Sequence, residues 1–396
     1  MELNSRLGLD FQDGISHPAR SRNDNGLNDL WGEAGLSIKA YRRMSSMNAS
    51  EGSAGRFHNM QRKAVRITPD AVVRYGYLDE DKRFPLVIEP AVDGVNLAGW
   101  AAANREQLEA RLLQHGAILF RNFNVNSASH LDQFIQATCG QPLEYQERSS
   151  PRSQVSGNIY TSTDHPPDEP IFLHNEQSYN LTFPLRILFF CTQPAQHGGA
   201  TPIADTRRIF NRISRETRER FIEKKYMYTR NFGDGFGLSW QTAFQTTDKS
   251  AVENYCRRND ITWEWKSNER LRTQQVRRAV AYHPRTGEPA WFNHLTFFNF
   301  STLEPAVREA VLMMCSEEDL PNHTYYGDGS PIEPEVLDEL RAAYQQETVS
   351  FPWQKGDILM LDNMLASHGR EPYSGQRQVL VGMAEPYSWE LIPTNQ

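Results

Sequence analysis

Two histidine–acid pairs two positions apart occur in the chain, His174-Asn175-Glu176 and His130-Leu131-Asp132. With 11 histidines and 49 acidic residues among 396, chance alone supplies roughly 1.4 such pairs, so the spacing by itself decides nothing. Geometry separates them. Residues two apart share one face of an extended strand and can grip one ion; on a helix they point apart. His130 and Asp132 lie in "SASHLDQFIQAT", which Ser127 or Ser129 opens as the cap of an amphipathic helix, and that pair reads as surface. His174 and Glu176 lie in "FLHNEQSYNLTFP", a stretch otherwise apolar, aromatic or amide, and pass the strand test. They still need a third ligand.

The candidate is His368, in "GDILMLDNMLASHGREPYSGQR" (356–377). Gly356 and Asp357 make a turn, Ile358 to Leu361 are apolar enough for a central strand, and Asn363 to Ser367 lead into His368. A histidine just past a buried strand and followed by Gly369 can face an interior cavity without blocking it. Two histidines and one carboxylate are the facial triad of non-haem Fe(II) oxygenases, which leaves coordination positions open for a cosubstrate and dioxygen. A zinc hydrolase is the weaker reading, because H-E-x-x-H, paired cysteines and a third clustered histidine are all absent.

The elements that must position these residues are legible as apolar runs. Strands are predicted over 116–123, 186–192, 226–232, 261–265, 278–283, 348–353, 357–361 and 378–385. Helices are predicted near 104–115, 127–138, 214–225, 247–258, 302–315 and 333–346, most opened by Ser, Thr, Asp or Asn. Strands dominate the two ends and helices the middle, which suggests an α+β fold: one β-rich core of jelly-roll type with a large helical insertion and flanking helices. Residues 1–66 differ, with "SHPARSRNDNGLNDL" and "MSSMNASEGSAGR" rich in Ser, Asn, Gly and Arg. They are expected to form a flexible or loosely docked N-terminal extension in which "LWGEAGLSIKAYRRM" is a short amphipathic helix; residues 67–396 form the catalytic domain.

Composition narrows the function classes. A net charge of −7 and a pI of about 5.9 argue against a nucleic-acid partner, since phosphate binding needs a basic surface. No apolar run has the length of a membrane span, and the acidic N-terminus lacks the features of a signal peptide. Cys139, Cys191, Cys256 and Cys315 are scattered without zinc spacing, as expected of buried free thiols in a reducing cytosol, so a cytoplasmic location is expected.

The His-Asn-Glu motif, "GGATPIAD" (198–205) and the 356–377 stretch together resemble the TauD/TfdA family of Fe(II)- and 2-oxoglutarate-dependent dioxygenases, over about residues 70–390. The resemblance implies a double-stranded β-helix of cupin-like type, with Fe(II) on His174, Glu176 and His368, and 2-oxoglutarate and dioxygen as cosubstrates. On a β-helix, Glu176 and His368 would lie on neighbouring strands at one mouth of the barrel. Thr201, 27 residues after His174, and Arg377, nine after His368, match the family's threonine and arginine for the far carboxylate of 2-oxoglutarate. A buried anion there needs a charge-assisted, preferably bidentate partner. Arg370 is a rival for that role. Arg186 reads as a rim or core-edge residue, and His165, His197, His283 and His323 as non-ligands.

Within the family, "ERSSPRS", "GNIYTSTDHP", "LSWQTAFQTTD", "TGEPAWFNH" and "TYYGDGSPIE" are similar to the SyrP-like amino-acid β-hydroxylases found with nonribosomal peptide synthetases. This implies an antibiotic-type biosynthetic setting, an amino acid as substrate, free or held on a carrier protein, and a synthetase carrier domain as partner. Candidate substrate contacts are Arg152, Thr161, Asp164, Asn293 and His294. Many family members grip an anionic substrate with a second arginine four residues past the cosubstrate arginine; Val381 stands there, which is compatible with a substrate presented on a carrier. In related iron halogenases the carboxylate ligand is replaced by a small residue, so the intact Glu176 points to hydroxylation. The same site also suits desaturation, epoxidation or cyclisation of a free small molecule. A barrel that merely binds a ligand is the third reading.

Overall fold

A computed structural model describes residues 72–141, 143, 152–233 and 238–393. The predicted N-terminal extension, with its short helix, lies outside them.

Runs of apolar residues form the central strands of an eight-stranded sheet, where both faces are buried. Numbered along the chain, its strands are β1 (Val73–Asp79), β2 (Phe84–Pro90), β3 (Ala117–Phe120), β16 (Ile358–Asp362), β7 (Thr182–Gln193), β19 (Gln378–Ser388), β5 (Ile159–Thr161) and β4 (Gln154–Ser156), in that spatial order. Pairing is antiparallel except between β2 and β3. Alternate residues separate two cores, as the pleat requires. Ile118, Phe120, Leu188, Phe190, Ile358, Met360 and Leu380 pack outward against the helices Leu97–Ala103, Arg105–His115 and Ala128–Thr138. Leu119, Ile187, Phe189, Leu359, Leu361, Val379, Val381 and Met383 point inward.

The inward face is closed by a smaller sheet of β6 (Ile171–His174), β17 (Ala366–Arg370) and β9 (Ile203–Asp205), with β17 in the middle. A short pair, β8 (His197–Gly198) with β18 (Tyr373–Ser374), seals one rim. Two sheets wound about a shared apolar interior, with flanking helices, make this an α+β double-stranded β-helix.

Between β9 and β16 comes the insertion, and it is not purely helical. Beside the helices Arg215–Lys224, Lys249–Arg258, Pro305–Met314 and Pro334–Glu347 it carries β10 (Tyr226–Phe232), β11 (Thr262–Trp265), β12 (Leu271–Arg277) and β15 (Asn322–Tyr326) as a four-stranded sheet in the order β11-β12-β10-β15. A further hairpin joins β13 (Val280–Tyr282) to β14 (Pro289–Trp291). Strand β12 escapes a hydrophobicity reading because its buried positions are Leu271, Thr273, Gln275 and Arg277, mostly polar.

Among the predicted strands, 348–353 is the exception. Its alternate residues Val349, Phe351 and Trp353 do point into the core, but only Val349 forms a bridge, to Ile203. Pro352 has no N–H to extend a ladder. The helix over 128–138 is capped by Ser127, whose hydroxyl accepts from the His130 N–H, so His130 and Asp132 do sit on a helix. All four cysteines are free; Cys139, Cys191 and Cys256 are buried and Cys315 is half-buried. No helix among the described residues is long and apolar enough to cross a membrane.

Candidate metal centre

The first and third predicted ligands meet by strand pairing. In the β6–β17 ladder His368 stands directly opposite His174, although 194 residues separate them, and on its other side His368 faces Ile203 of β9. Gly369 permits the close approach: a Cβ there would lie 2.5 Å from the Ile171 carbonyl oxygen. The Gly369 N–H donates to Pro202 (2.9 Å). Glu176 lies two residues past the histidine that ends β6. The donor atoms of His174, Glu176 and His368 all lie within 4.8 Å of one another, and Glu176 Oε2 is 3.8 Å from His368 Nε2. Among the described residues no other group of three His, Cys, Asp or Glu donors converges.

Two asparagines hold Glu176 from behind. The Asn363 side chain accepts from the Glu176 N–H (2.8 Å) and donates to the carbonyls of Glu176 (2.9 Å) and Pro184 (2.8 Å). Asn175 Nδ2 in turn donates to the Asn363 carbonyl (2.7 Å). Both asparagines are fully buried. A short polar side chain after an apolar strand reads from sequence as an ordinary turn residue; the signal for Asn363 is its place in the turn that leads into His368, five residues on.

The donor set fits a divalent transition metal. His174 Nδ1 donates to the Phe172 carbonyl (2.8 Å), which leaves Nε2 as the lone-pair nitrogen. Burial lowers the pKa of His174 and takes His368 well below the ordinary imidazole range. Both rings are therefore held neutral, the form a metal requires. His368 Nδ1 is buried without a hydrogen-bond partner. Ligand bonds of about 2.1 Å at right angles place donors about 3 Å apart, so the three donors, within 4.8 Å of one another, draw together when they share an ion. Phe297 stacks on His174 at 4.8 Å between ring centroids, and Phe189 lies 4.9 Å from His368, giving the centre apolar walls.

The second pair of predicted residues also comes together. Thr201 is buried, and its hydroxyl accepts from Trp353 Nε1 (3.0 Å) and, at 3.5 Å, from Arg377 Nη2. That arrangement leaves the hydroxyl proton to donate elsewhere. Arg377 Nε donates to the Gly199 carbonyl (2.9 Å). Burial, aided by the neighbouring Arg370, lowers the Arg377 guanidinium to about 10; an anion beside it would reverse that push. Arg370 is spent otherwise: it donates to the carbonyls of His165 (2.8 Å), Pro166 and Glu169 (2.6 Å), tying down the loop before β6.

The remaining candidates divide. Arg152 is buried with Nη2 2.7 Å from Glu176 Oε2. Val381 is fully buried on the inward face of β19, opposite Phe189 and Tyr160. His294 packs behind His174 (centroids 4.9 Å) and shares a 2.8 Å hydrogen bond with Ser178; burial, followed by His174 and His368, keeps its pKa well below the ordinary value. Asn293 is bonded to the Ala279 carbonyl and the Leu295 N–H. Thr161 and Asp164 bond each other (2.9 Å) and Ser153 in a half-exposed loop. Arg186 is not at a rim. It is fully buried between Asp362 and Glu109.

A family model described as the taurine catabolism dioxygenase TauD, TfdA family matches residues 80–384. The dapdiamide synthesis protein DdaC of Enterobacter agglomerans is 43% identical, with 69% of this chain and 84% of that protein covered. A clavaminate synthase-like protein of Arabidopsis thaliana is 27% identical, with 77% and 95% covered. Among solved structures, PvcB of Pseudomonas aeruginosa is similar with a TM-score of 0.46 at 18% identity, covering 79% of this chain and 91% of that one.

Proposed function

The chain belongs to the TauD, TfdA dioxygenase family, and on that premise we propose that it hydroxylates an unactivated C–H bond, at the β-carbon, of an amino-acid unit presented on a carrier protein in a biosynthetic pathway. It is an Fe(II)- and 2-oxoglutarate-dependent dioxygenase acting on a small molecule. When bound, iron with 2-oxoglutarate and dioxygen supplies the oxidising chemistry, in which one oxygen atom enters the C–H bond and the other ends in succinate, with loss of carbon dioxide.

The observation that carries this reading is the pairing of His174 with His368 across two strands, with Glu176 Oε2 3.8 Å away. In the proposal these three hold the iron. Asn363 fixes the Glu176 main chain so that the carboxylate does not have to be ordered on each binding event. Thr201 and Arg377 take the far carboxylate of 2-oxoglutarate. Phe189, Phe297 and Val381 keep the reaction volume apolar and exclude water. An intact carboxylate at Glu176 favours hydroxylation over halogenation. Kinship with a dapdiamide synthesis protein supports a biosynthetic role, and the apolar Val381 supports a substrate whose α-carboxyl is masked as a thioester.

The test is oxygen-dependent succinate release across amino acids, each free and carrier-bound, with products weighed by mass spectrometry. Gain of one oxygen atom on a carrier-bound unit is the expected result. Succinate release with none of them overturns the amino-acid substrate, and His368→Ala as active as the natural protein overturns the third-ligand assignment. Equal or faster turnover of the free form overturns the carrier alone.

A further inference from the structure

The segment 348–353 has the alternation of a strand but forms a single bridge, so sheet building does not explain its placement. It is nonetheless tied down along its length. Val349 and Ile203 exchange backbone hydrogen bonds (2.8 and 2.9 Å). Arg121 Nη2 donates to the Pro352 carbonyl (3.1 Å), and the Gln354 N–H donates to Asp357 Oδ2 (2.8 Å). Arg121 in turn pairs with the buried Asp357 carboxylate. Between these ties stands Trp353, 7% exposed, with its ring edge-on to Phe351 at 5.4 Å between centroids. A buried tryptophan usually finds an acceptor for its indole N–H. Here the acceptor is Thr201 Oγ1, at 3.0 Å.

The direction of this bond decides what Thr201 can do. A hydroxyl has two lone pairs with which to accept and one proton to donate, whereas indole and guanidinium groups only donate. Trp353 therefore takes one lone pair, and Arg377 Nη2 approaches the other at 3.5 Å. The indole contact is the shorter and does most of the fixing. Both bonds run into the oxygen, and among the described residues the Thr201 hydroxyl donates to no protein acceptor. Its proton is left for an accepting group beside Arg377. The far carboxylate of 2-oxoglutarate is such a group, and a methyl end is not. Without the indole N–H a lone pair is released, and the hydroxyl is free to turn.

Resting on the assignment of Thr201 and Arg377 above, we propose that Trp353 is a positioning residue for the cosubstrate. Its indole N–H fixes the Thr201 hydroxyl as a donor to the far carboxylate, and so sharpens the preference for a dicarboxylate 2-oxo acid over a monocarboxylate one.

The experiment is calorimetric titration of full-length protein loaded with Mn(II), which does not turn over. The probes are 2-oxoglutarate and, by displacement, 2-oxopentanoate, which carries a methyl group in place of the far carboxylate. Trp353→Phe should weaken 2-oxoglutarate about three- to fivefold, near the loss of one hydrogen bond, and 2-oxopentanoate by less than about twofold. In the Thr201→Val background the same change should weaken 2-oxoglutarate by less than about twofold further, because the indole acts through that hydroxyl.

A tryptophan that merely supports the wall would weaken both 2-oxo acids alike, and would do so with or without Thr201. Either pattern overturns the proposal. Unchanged 2-oxoglutarate affinity in Thr201→Val overturns the subsite assignment and this inference with it. A loss in Thr201→Val without one in Trp353→Phe overturns this inference alone. Should Trp353→Phe fail to fold, benzothienylalanine at position 353, which keeps the bicyclic shape and puts sulfur where the N–H was, carries the comparison: a loss of about threefold or more confined to 2-oxoglutarate supports the assignment, and an unchanged affinity overturns it.

Discussion

Asn363→Ala should be among the most damaging single changes outside the proposed metal ligands. The side chain is fully buried and makes three hydrogen bonds, to the Glu176 N–H, the Glu176 carbonyl and the Pro184 carbonyl. Truncation leaves one buried donor and two acceptors unmatched. The orphaned N–H costs about 1–3 kcal/mol and the carbonyls less, since each has a second lone pair, so about 3–4 kcal/mol in all is expected. At about 2–4 °C per kcal/mol this lowers the melting temperature by about 6–16 °C. Glu176 also loses the group that fixes its main chain, so metal affinity should fall about 10–100-fold, as for other residues that orient a ligand. Thermal unfolding of the metal-free protein reads the first effect, and Mn(II) titration of the folded variant reads the second. A melting temperature within about 2 °C and an affinity within about threefold of the natural protein would refute the positioning argument.

Arg377→Ala should raise the 2-oxoglutarate requirement by the equivalent of about 2–5 kcal/mol, the cost of leaving a buried anion without its charged partner, whereas Arg370→Ala should mainly lower thermal stability by releasing the 165–169 carbonyls; steady-state kinetics and melting curves giving the opposite pattern would exchange their roles. Thr201→Val should cost about 1 kcal/mol in 2-oxoglutarate binding, and somewhat more in stability because the Trp353 indole N–H loses its acceptor. Burial, followed by Arg370, lowers His165 to about 4. The unfolded chain therefore takes up its proton first, near pH 6.5, and stability falls as pH drops from about 6.5 to about 4, then levels. His165→Gln should shrink this fall, and identical melting temperature–pH profiles would contradict it. Deleting residues 1–60, which offer few apolar side chains to a core, should leave melting temperature and Mn(II) affinity nearly unchanged; a fall of several degrees would show that they pack as part of the domain.

What could be read from the sequence follows the hydrophobic pattern. The central strands β7, β16 and β19 and the six longer helices stand out as apolar runs or amphipathic segments because both faces of the sheet, and one face of each helix, are buried. His174 and Glu176 stand out because a strand lets a His-x-acid pair converge and a helix does not, although the strand ends at His174 and Glu176 sits in the turn that follows. Strand β12 does not stand out, since the positions it buries are threonine, glutamine and arginine held by hydrogen bonds. The Arg370–Arg377 choice is open in sequence because both arginines follow His368 at short range. Only three-dimensional placement shows Arg370 committed to the 165–169 loop and Arg377 beside Thr201. Arg152 is legible only through the family-like stretch in which it stands, and its position against Glu176, 24 residues on, comes from chain reversal.

Arg186 shows why a charge belongs inside this sheet. Apolar replacement of a buried ion pair often costs little stability, so packing alone does not account for an arginine buried in the middle of "PLRILFF". Burial alone would raise the Asp362 carboxyl, but Arg186 and His283 outweigh it and hold Asp362 well below the usual carboxylate range. The ionised Asp362 then has a task that an apolar residue could not perform. Its Oδ1 accepts from the N–H groups of Met364 (3.0 Å) and Leu365 (3.2 Å), fixing the turn between β16 and β17. That turn presents Asn363 to Glu176 and launches the strand that carries His368. Two of the three proposed ligands therefore depend on one hairpin, anchored by a carboxylate that Arg186 keeps charged at the far side of the core. Glu109 and Glu385, themselves met by Arg285, complete the ring of carboxylates around the arginine. The ion network and the metal centre are thus two ends of the same turn, and the charge buried at one end is what holds the donors in register at the other.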